Sequence, residues 1–281
     1  MIERSLACLG RRGFYRLAYY EWPGPADAPT VLCLHGLTRN GHDFDVLAES
    51  LSAEFRVVAL DFPGRGKSDW LADPHDYVTE TYAADVAALI ARLGVERIDI
   101  VGTSMGGIVG MALAAQRNNP IRKLVINDVG PLIAKAGLKR IRRYVGRDPS
   151  FKDLAELEAA LRWVFAGFGM LTDGTWRRMA EQSARSKPDG TLGFNYDPKI
   201  AVPFKRGWFV RDVKLWNAYD AITCPTLVLR GADSDILRRA DAEAMTRRGP
   251  RAKLVEFSGM GHAPSLTVSD QIACVRNFLR G

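Results

Sequence analysis

The stretch that decides the fold spans residues 97–115 and reads RIDIVGTSMGGIVGMALAA. Its first five residues form the pattern of a short strand, and its last eight have the length and alanine content of a helix. Between them the pattern Gly-x-Ser-x-Gly places Ser104 in a tight strand-to-helix turn. Such a turn exposes the serine oxygen, and the first N–H groups of the following helix favour a developing negative charge. The stretch therefore predicts that Ser104 is a nucleophile.

A candidate general base lies near the end of the chain. His262 stands in the glycine-rich segment SGMGHAP, residues 258–264, directly after an apolar strand. Imidazole is the side chain best suited to move a proton near neutral pH, first from the serine and then to the leaving group. His35, at the end of an early apolar strand, is the competitor, but its position favours a role in bracing the adjoining loop. We therefore predict that His262 is the base.

A carboxylate is needed to fix the tautomer of this imidazole. Its natural source is the end of a strand that lies between the serine and the histidine in the chain. The strand at residues 226–230 ends in Gly-Ala-Asp-Ser-Asp, so Asp233 and Asp235 compete. Asp235 is the favoured acid, because Ile236 and Leu237 follow it and can anchor the loop below the site. Asp233 remains the alternative.

Taken together, these motifs resemble the alpha/beta-hydrolase superfamily. The resemblance includes the strand ending in His35-Gly36, the segment DFPGRGKS at residues 61–68, and the order Ser, Asp, His along the chain. It implies an oxyanion hole made by the backbone N–H groups of Leu37 and Met105, with His35 and Gly36 in support. A serine at the turn argues against the haloalkane dehalogenases and epoxide hydrolases, which carry aspartate there. Within that superfamily the chain resembles small bacterial serine esterases, enol-lactonases and carbon–carbon bond hydrolases.

An alternation of strands and helices runs through most of the 281 residues and predicts an α/β fold. The expected architecture is a mostly parallel sheet flanked by helices. The predicted strands cover residues 14–20, 30–34, 56–60, 97–101, 123–127, 226–230 and 253–257. The predicted helices cover residues 44–53, 78–93, 105–117 and 270–279.

The alternation breaks between residues 131 and 220, which we call the inserted segment. It shows helical patterns at residues 153–165 and 175–186 and no clear strands. We therefore expect a catalytic core at residues 1–130 and 221–281 and a helical cap at residues 131–220 that roofs the pocket and excludes water. Trp163 and Trp208 are candidates to line that pocket.

The net charge of +7 belongs to the inserted segment, which holds 17 Lys and Arg against 10 Asp and Glu. The favoured interpretation is a solvated helix face. The alternative is that the charge attracts a carboxylate-bearing substrate. Nucleic-acid binding is not expected, because no binding module accompanies the charge. A phosphate-binding loop ending in Gly66-Lys67-Ser68 is excluded, because Asp61 stands where its first glycine is needed.

The remaining composition points to a cytoplasmic enzyme without a cofactor or metal. The four cysteines show no paired spacing and no zinc signature, and no segment has the pattern of a signal peptide or a membrane span. The predicted function is a serine hydrolase that cleaves a small carboxylic ester or lactone through an acyl-enzyme. The alternatives are a hydrolase of a carbon–carbon bond in a dienol or diketone acid, and a ligand-binding protein on the same scaffold.

Overall fold

A sheet of eight strands organises the chain in a computed structural model that describes residues 1–203 and 212–281. The strands of these two ranges are β1 (Ile2–Gly10), β2 (Gly13–Trp22), β3 (Thr30–Leu34), β4 (Arg56–Leu60), β5 (Ile98–Thr103), β6 (Ile121–Asn127), β7 (Leu132–Ile133), β8 (Ala184–Ser186), β9 (Leu192–Phe194), β10 (Val213–Lys214), β11 (Thr226–Gly231) and β12 (Lys253–Phe257). Their α-helices are α1 (Asp45–Leu51), α2 (Thr79–Leu93), α3 (Met105–Ala114), α4 (Lys135–Ile141), α5 (Leu154–Val164), α6 (Asp173–Ser183), α7 (Trp216–Asp220), α8 (Arg239–Met245) and α9 (Ser269–Arg280).

The strand order in the sheet brings four chain segments to one edge. The order is β1-β2-β4-β3-β5-β6-β11-β12, and the six strands from β4 to β12 run parallel, whereas β1 and β2 form an antiparallel hairpin at one side. The carboxyl ends of β5, β6, β11 and β12 therefore lie side by side. Open α/β sheets place their ligands at this edge.

Both faces of the sheet are covered, as expected for parallel strands. Leu32 and Leu34 of β3 join the core cluster that contains α2, α3 and α8. Val31 and Cys33, which alternate with them, join the cluster that contains α1 and α9. The period of two along β3 thus assigns its side chains to two separate apolar layers.

The predicted fold class is confirmed, and the predicted core elements occur close to their expected bounds. β3, β4 and β12 have the bounds that were predicted, and the other predicted strands and helices differ by a few residues at their ends. Strand β1 and helix α8 were not predicted. β1 is an edge strand whose residues are mostly exposed, so it carries no apolar alternation to mark it.

The inserted segment contributes α4 to α7 and the short strands β7 to β10. The two predicted helical patterns are confirmed as α5 and α6. The expectation of no strands was wrong, because β7 pairs with β10 and β8 pairs with β9, although two or three residues are too few to show an alternation. α5 and α6 pack on a small apolar cluster of their own, which contains Leu157, Leu161 and Trp176. The boundaries of a separate cap domain remain a prediction.

No helix in the two described ranges is long and apolar enough to cross a membrane. All four cysteines are free. Cys8 and Cys33 are buried, and Cys224 and Cys274 are partly buried.

Candidate active site

Ser104 occupies a strained turn between β5 and α3. Its φ of 53° and ψ of −115° are unusual for a residue with a side chain, and its N–H donates to the carbonyl of Asn127. The turn needs glycine on both sides. A Cβ at Gly106 would lie 2.0 Å from the carbonyl oxygen of Leu34, and a Cβ at Gly102 would lie 2.5 Å from the backbone of Gly106. The glycines of the motif therefore permit close packing of helix on strand.

The structure brings Ser104 and His262 together. Nε2 of His262 lies 2.8 Å from Oγ of Ser104, although the two residues are 158 positions apart in the chain. His262 follows β12 in the loop that sequence analysis singled out, and its side chain is largely buried. This is the distance at which an imidazole can take a proton from a serine hydroxyl.

The carboxylate bonded to His262 is that of Asp128, directly after β6. Its Oδ2 lies 2.8 Å from Nδ1 of His262, and its side chain is fully buried. The end of β11 and the loop after it support this carboxylate, because the Gly231 N–H donates to Oδ1 at 2.8 Å and the Ser234 hydroxyl donates to Oδ2 at 2.5 Å. Asp128 itself has a φ of 55°. Asp128 was not predicted from the sequence, although an acid directly after an apolar strand was the available signal.

Asp235, the favoured acid, has a different partner. Its carboxylate forms a two-pronged ion pair with Arg140 of α4, with Nε to Oδ2 at 2.6 Å and Nη2 to Oδ1 at 3.0 Å. Burial acts to raise the pKa of Asp235, but the Arg140 guanidinium outweighs burial and holds that pKa below its usual value. Asp233, the alternative, is exposed. The bond to His262 expected of Asp235 is therefore made by Asp128, because β6 lies between β5 and β11 and ends beside the serine turn.

His35 has the contacts of a loop brace. It is fully buried between two loops, where Nδ1 donates to the Gly36 carbonyl at 2.7 Å and Nε2 accepts from the Phe62 N–H at 3.0 Å. Burial lowers the pKa of His35 to about 3, so the ring is neutral. Because Nε2 accepts, the proton of the neutral ring is on Nδ1. These bonds agree with the bracing role favoured for His35.

A cavity of about 380 Å³ opens beside Ser104. Leu37 and Met105 line it together with the serine, so both residues predicted to supply the oxyanion hole face the same space. Met105 is the first residue of α3, where backbone N–H groups have no partner within the helix. The role of the two N–H groups as an oxyanion hole remains a prediction.

The described lining of this cavity is mostly apolar and comes from both core and inserted segment. Ile108 and Met111 of α3 line it, as do Leu138 and Ile141 of α4. Among the lining residues that the structure describes, Glu80 carries the one formal charge, and it is exposed. Of the two tryptophans proposed for the pocket, Trp163 is 72% exposed and absent from the described lining, and Trp208 lies outside the described residues.

The basic residues of the inserted segment lie partly on the outer side of α4 and the turn after it. Lys139, Arg143 and Arg147 are exposed, whereas Leu138 of the same helix is buried at the cavity. This arrangement matches the favoured interpretation of a solvated face. Within residues 1–203 and 212–281, no group of three or more His, Cys, Asp or Glu side chains is placed to hold a metal ion.

Comparison with known proteins shows the family and fold of this chain. The family model of the alpha/beta hydrolase fold matches residues 29–267. A 3-hydroxybutyrate-oligomer hydrolase of Cupriavidus necator is 43% identical over 98% of this chain and 96% of its own length. Esterase Rv0045c of Mycobacterium tuberculosis is 27% identical over 93% of this chain and 84% of its own. The crystal structure of an alpha/beta hydrolase from Novosphingobium aromaticivorans superposes with a TM-score of 0.88 at 38% identity, covering 99% and 98% of the two chains.

Proposed function

The chain belongs to the alpha/beta-hydrolase family and is a carboxylic ester hydrolase, and we propose that it cleaves its substrate through an acyl-enzyme formed on Ser104. The observation that carries this proposal is the continuous line of hydrogen bonds from Asp128 through His262 to Ser104, in which both links are 2.8 Å long. Nucleophile, base and orienting acid are thus within reach of one another before any substrate binds.

The first half of the reaction transfers the acyl group to the enzyme. Oγ of Ser104 bonds to the carbonyl carbon of the ester while Nε2 of His262 takes the hydroxyl proton. The carbonyl oxygen becomes an oxyanion, which accepts hydrogen bonds from the N–H groups of Leu37 and Met105. The bond from carbon to the alcohol oxygen then breaks, and His262 returns its proton to the leaving alcohol.

Water completes the cycle by the same steps. Nε2 of His262 takes a proton from water as the water oxygen bonds to the acyl carbon, and the bond to Ser104 then breaks and the serine recovers its proton. Asp128 accepts from Nδ1–H throughout, which keeps the lone pair of Nε2 directed at Ser104 and stabilises the transient imidazolium. Gly231 and Ser234 hold the carboxylate in place for this task.

The cavity and the Cupriavidus necator relative support one substrate class, short esters of hydroxy acids. Small-molecule pockets commonly measure about 300 to 1,000 Å³, so a cavity of about 380 Å³ suits a small ligand. A short ester of a hydroxy acid such as 3-hydroxybutyrate, the acid named for that relative, is of this size. A free carboxylate on such a substrate would stay outside the apolar lining. The inserted segment acts as the cap over this cavity, and the four free cysteines suit a reducing cytoplasm.

The test compares wild type with Ser104→Ala on p-nitrophenyl esters from acetate to octanoate and on the dimer of 3-hydroxybutyrate, at low and high salt. We expect Ser104→Ala to keep its thermal unfolding midpoint and to lose turnover of every ester by about a thousandfold or more. Turnover that survives in Ser104→Ala would overturn the acyl-enzyme proposal. A fall of kcat/KM with added salt for the dimer, but not for the neutral esters, supports a carboxylate-bearing substrate.

A further inference from the structure

Arg65 is a fully buried arginine behind the catalytic turn. It lies in the loop between β4 and α2 and is the largest side chain below 2% exposure. Within the described residues, no carboxylate forms an ion pair with it at 4.0 Å or less, unlike the buried Arg39, which pairs with Asp43. An arginine side chain carries a positive charge in a protein, and burial removes this charge from water.

The hydrogen bonds of Arg65 lead to the two residues proposed for the oxyanion hole. Nε donates to the Leu37 carbonyl at 2.8 Å, and Nη2 lies 3.7 Å from the sulfur of Met105. Nη1 donates to the Pro63 carbonyl at 2.7 Å and to the Tyr82 hydroxyl at 2.8 Å, which fixes the guanidinium itself. One side chain thus contacts both residues whose N–H groups would face the substrate oxygen.

Aromatic rings stabilise this charge without neutralising it. The guanidinium carbon lies 5.6 Å from the ring centre of Tyr77 and 5.2 Å from that of Tyr82. Burial raises the pKa of Tyr82, which therefore stays a neutral phenol. The Tyr77 hydroxyl donates to the buried carboxylate of Asp197 at 2.8 Å, so that carboxylate is one side chain away from Arg65.

The geometry of the peptide bond explains how these hydrogen bonds orient the Leu37 N–H group. The Leu37 N–H and the Gly36 carbonyl belong to one planar peptide and point in opposite directions. His35 holds that Gly36 carbonyl, and Arg65 holds the next carbonyl, that of Leu37. The orientation of the Leu37 N–H is therefore fixed from both sides before substrate arrives. Preorganised donors are the main source of oxyanion stabilisation in enzymes.

We propose that Arg65 is a positioning residue for the oxyanion hole, which acts through Leu37 and Met105 and adds a buried positive charge behind them. This inference rests on the proposed acyl-enzyme mechanism. A purely structural role for Arg65 predicts a loss of stability that affects all ligands alike. A role in the oxyanion hole predicts a loss that is specific for tetrahedral, negatively charged adducts.

The experiment measures affinity for hexyl trifluoromethyl ketone, which forms such an adduct with a serine, and for hexyl methyl ketone, which binds without one. The variants are Arg65→Met and Arg65→Lys. The matched control is Lys123→Met, since Lys123 is also a buried cation and also donates to backbone carbonyls, those of Phe278 at 3.1 Å and Leu279 at 2.7 Å. For Arg65→Met we expect kcat and trifluoromethyl ketone affinity to fall together by about 10-fold to 100-fold. KM and methyl ketone affinity should stay within about threefold of wild type.

The outcomes separate this inference from the proposed function. The role of Arg65 would be overturned if a folded Arg65→Met lost affinity for both ketones equally, or if it kept wild-type affinity for both. If Arg65→Met does not fold, affinity for the same two ketones is measured on Arg65→Lys. That variant keeps the positive charge but loses the planar set of guanidinium N–H donors. A wild-type enzyme that binds both ketones equally, or a Ser104→Ala variant that binds the trifluoromethyl ketone as tightly as wild type, would instead refute the acyl-enzyme mechanism.

Discussion

Two neighbouring loops of this enzyme each present an acid at the same edge of the sheet, and only one of the acids reaches the histidine. Asp128, after β6, is fully buried and bonds to His262. Asp235, after β11, has a side chain 40% exposed and pairs with Arg140 of the inserted segment. The β11 loop still serves the site, because its Ser234 donates to Asp128. Burial and strand order, rather than position along the chain, therefore decide which carboxylate bonds to His262.

The largest effect is expected at Asp128. Asp128→Asn keeps the shape of the side chain but removes the charge that stabilises the imidazolium and sets the tautomer. We expect kcat for p-nitrophenyl butyrate to fall by about a thousandfold to ten-thousandfold, with KM changed little. Steady-state kinetics with a thermal unfolding control measures this. Retention of a tenth of wild-type kcat would show that Asp128 is not the orienting acid.

The sequence indicates the serine, the histidine and the acids that could bond to it, but it does not show which acid makes that bond. The serine turn and the histidine loop were both recognisable because each has glycines at fixed spacing around one reactive side chain. An acid follows an apolar strand at Asp128 and again at Asp233 and Asp235. Which of them meets His262 depends on β6 standing between β5 and β11, and that order arises from packing across the whole sheet. The local sequence pattern of each loop holds no information about this strand order.

The inserted segment was harder to predict for a different reason. Helices α5 and α6 have clear apolar stripes, but the strands β7 to β10 are two or three residues long. The side of α4 that faces the cavity could be identified only once its partners on α3 were known. The contact of Arg65 with Leu37 and Met105 was hidden in the same way, because it joins three segments that are distant in the chain.

An intermediate effect is expected at Ser234, which lies in the loop after β11 and donates to Asp128 in the loop after β6. Ser234→Ala leaves Asp128 with one donor fewer, and a hydrogen bond to a charged group contributes about 1.5 to 3 kcal/mol. We expect kcat to fall by about tenfold and the free energy of unfolding to fall by about 1 to 3 kcal/mol. The control is Ser52→Ala. Ser52 directly follows α1, and its hydroxyl donates to the Glu49 carbonyl. Unchanged kcat in Ser234→Ala would mean that the β11 loop does not support the triad.

The smallest effect is expected at Asp235. Asp235→Asn breaks a half-exposed ion pair, so kcat/KM should stay within about threefold of wild type and the free energy of unfolding should fall by at most about 1 kcal/mol. The pKa of Asp235 is lowered in the folded state, so the ion pair stabilises above the unfolded pKa, near 4, and this contribution disappears as pH falls through the folded pKa.

Denaturant unfolding of wild type and Asp235→Asn from pH 3 to pH 8 follows this contribution. The two proteins should differ at neutral pH and converge at the acid end. A difference that grows towards low pH would contradict the assignment of the ion pair to Arg140. A loss of kcat above tenfold in Asp235→Asn would contradict its exclusion from the triad.

The most direct test of the central claim observes the proton between His262 and its carboxylate. Proton NMR of the wild-type enzyme should show a strongly downfield resonance from Nδ1–H, which His262→Ala assigns by its disappearance. If Asp128 holds this proton, Asp128→Asn abolishes or markedly shifts the resonance and Asp235→Asn leaves it in place. A resonance that survives Asp128→Asn and is lost in Asp235→Asn would show that the acid after β11 orients the base.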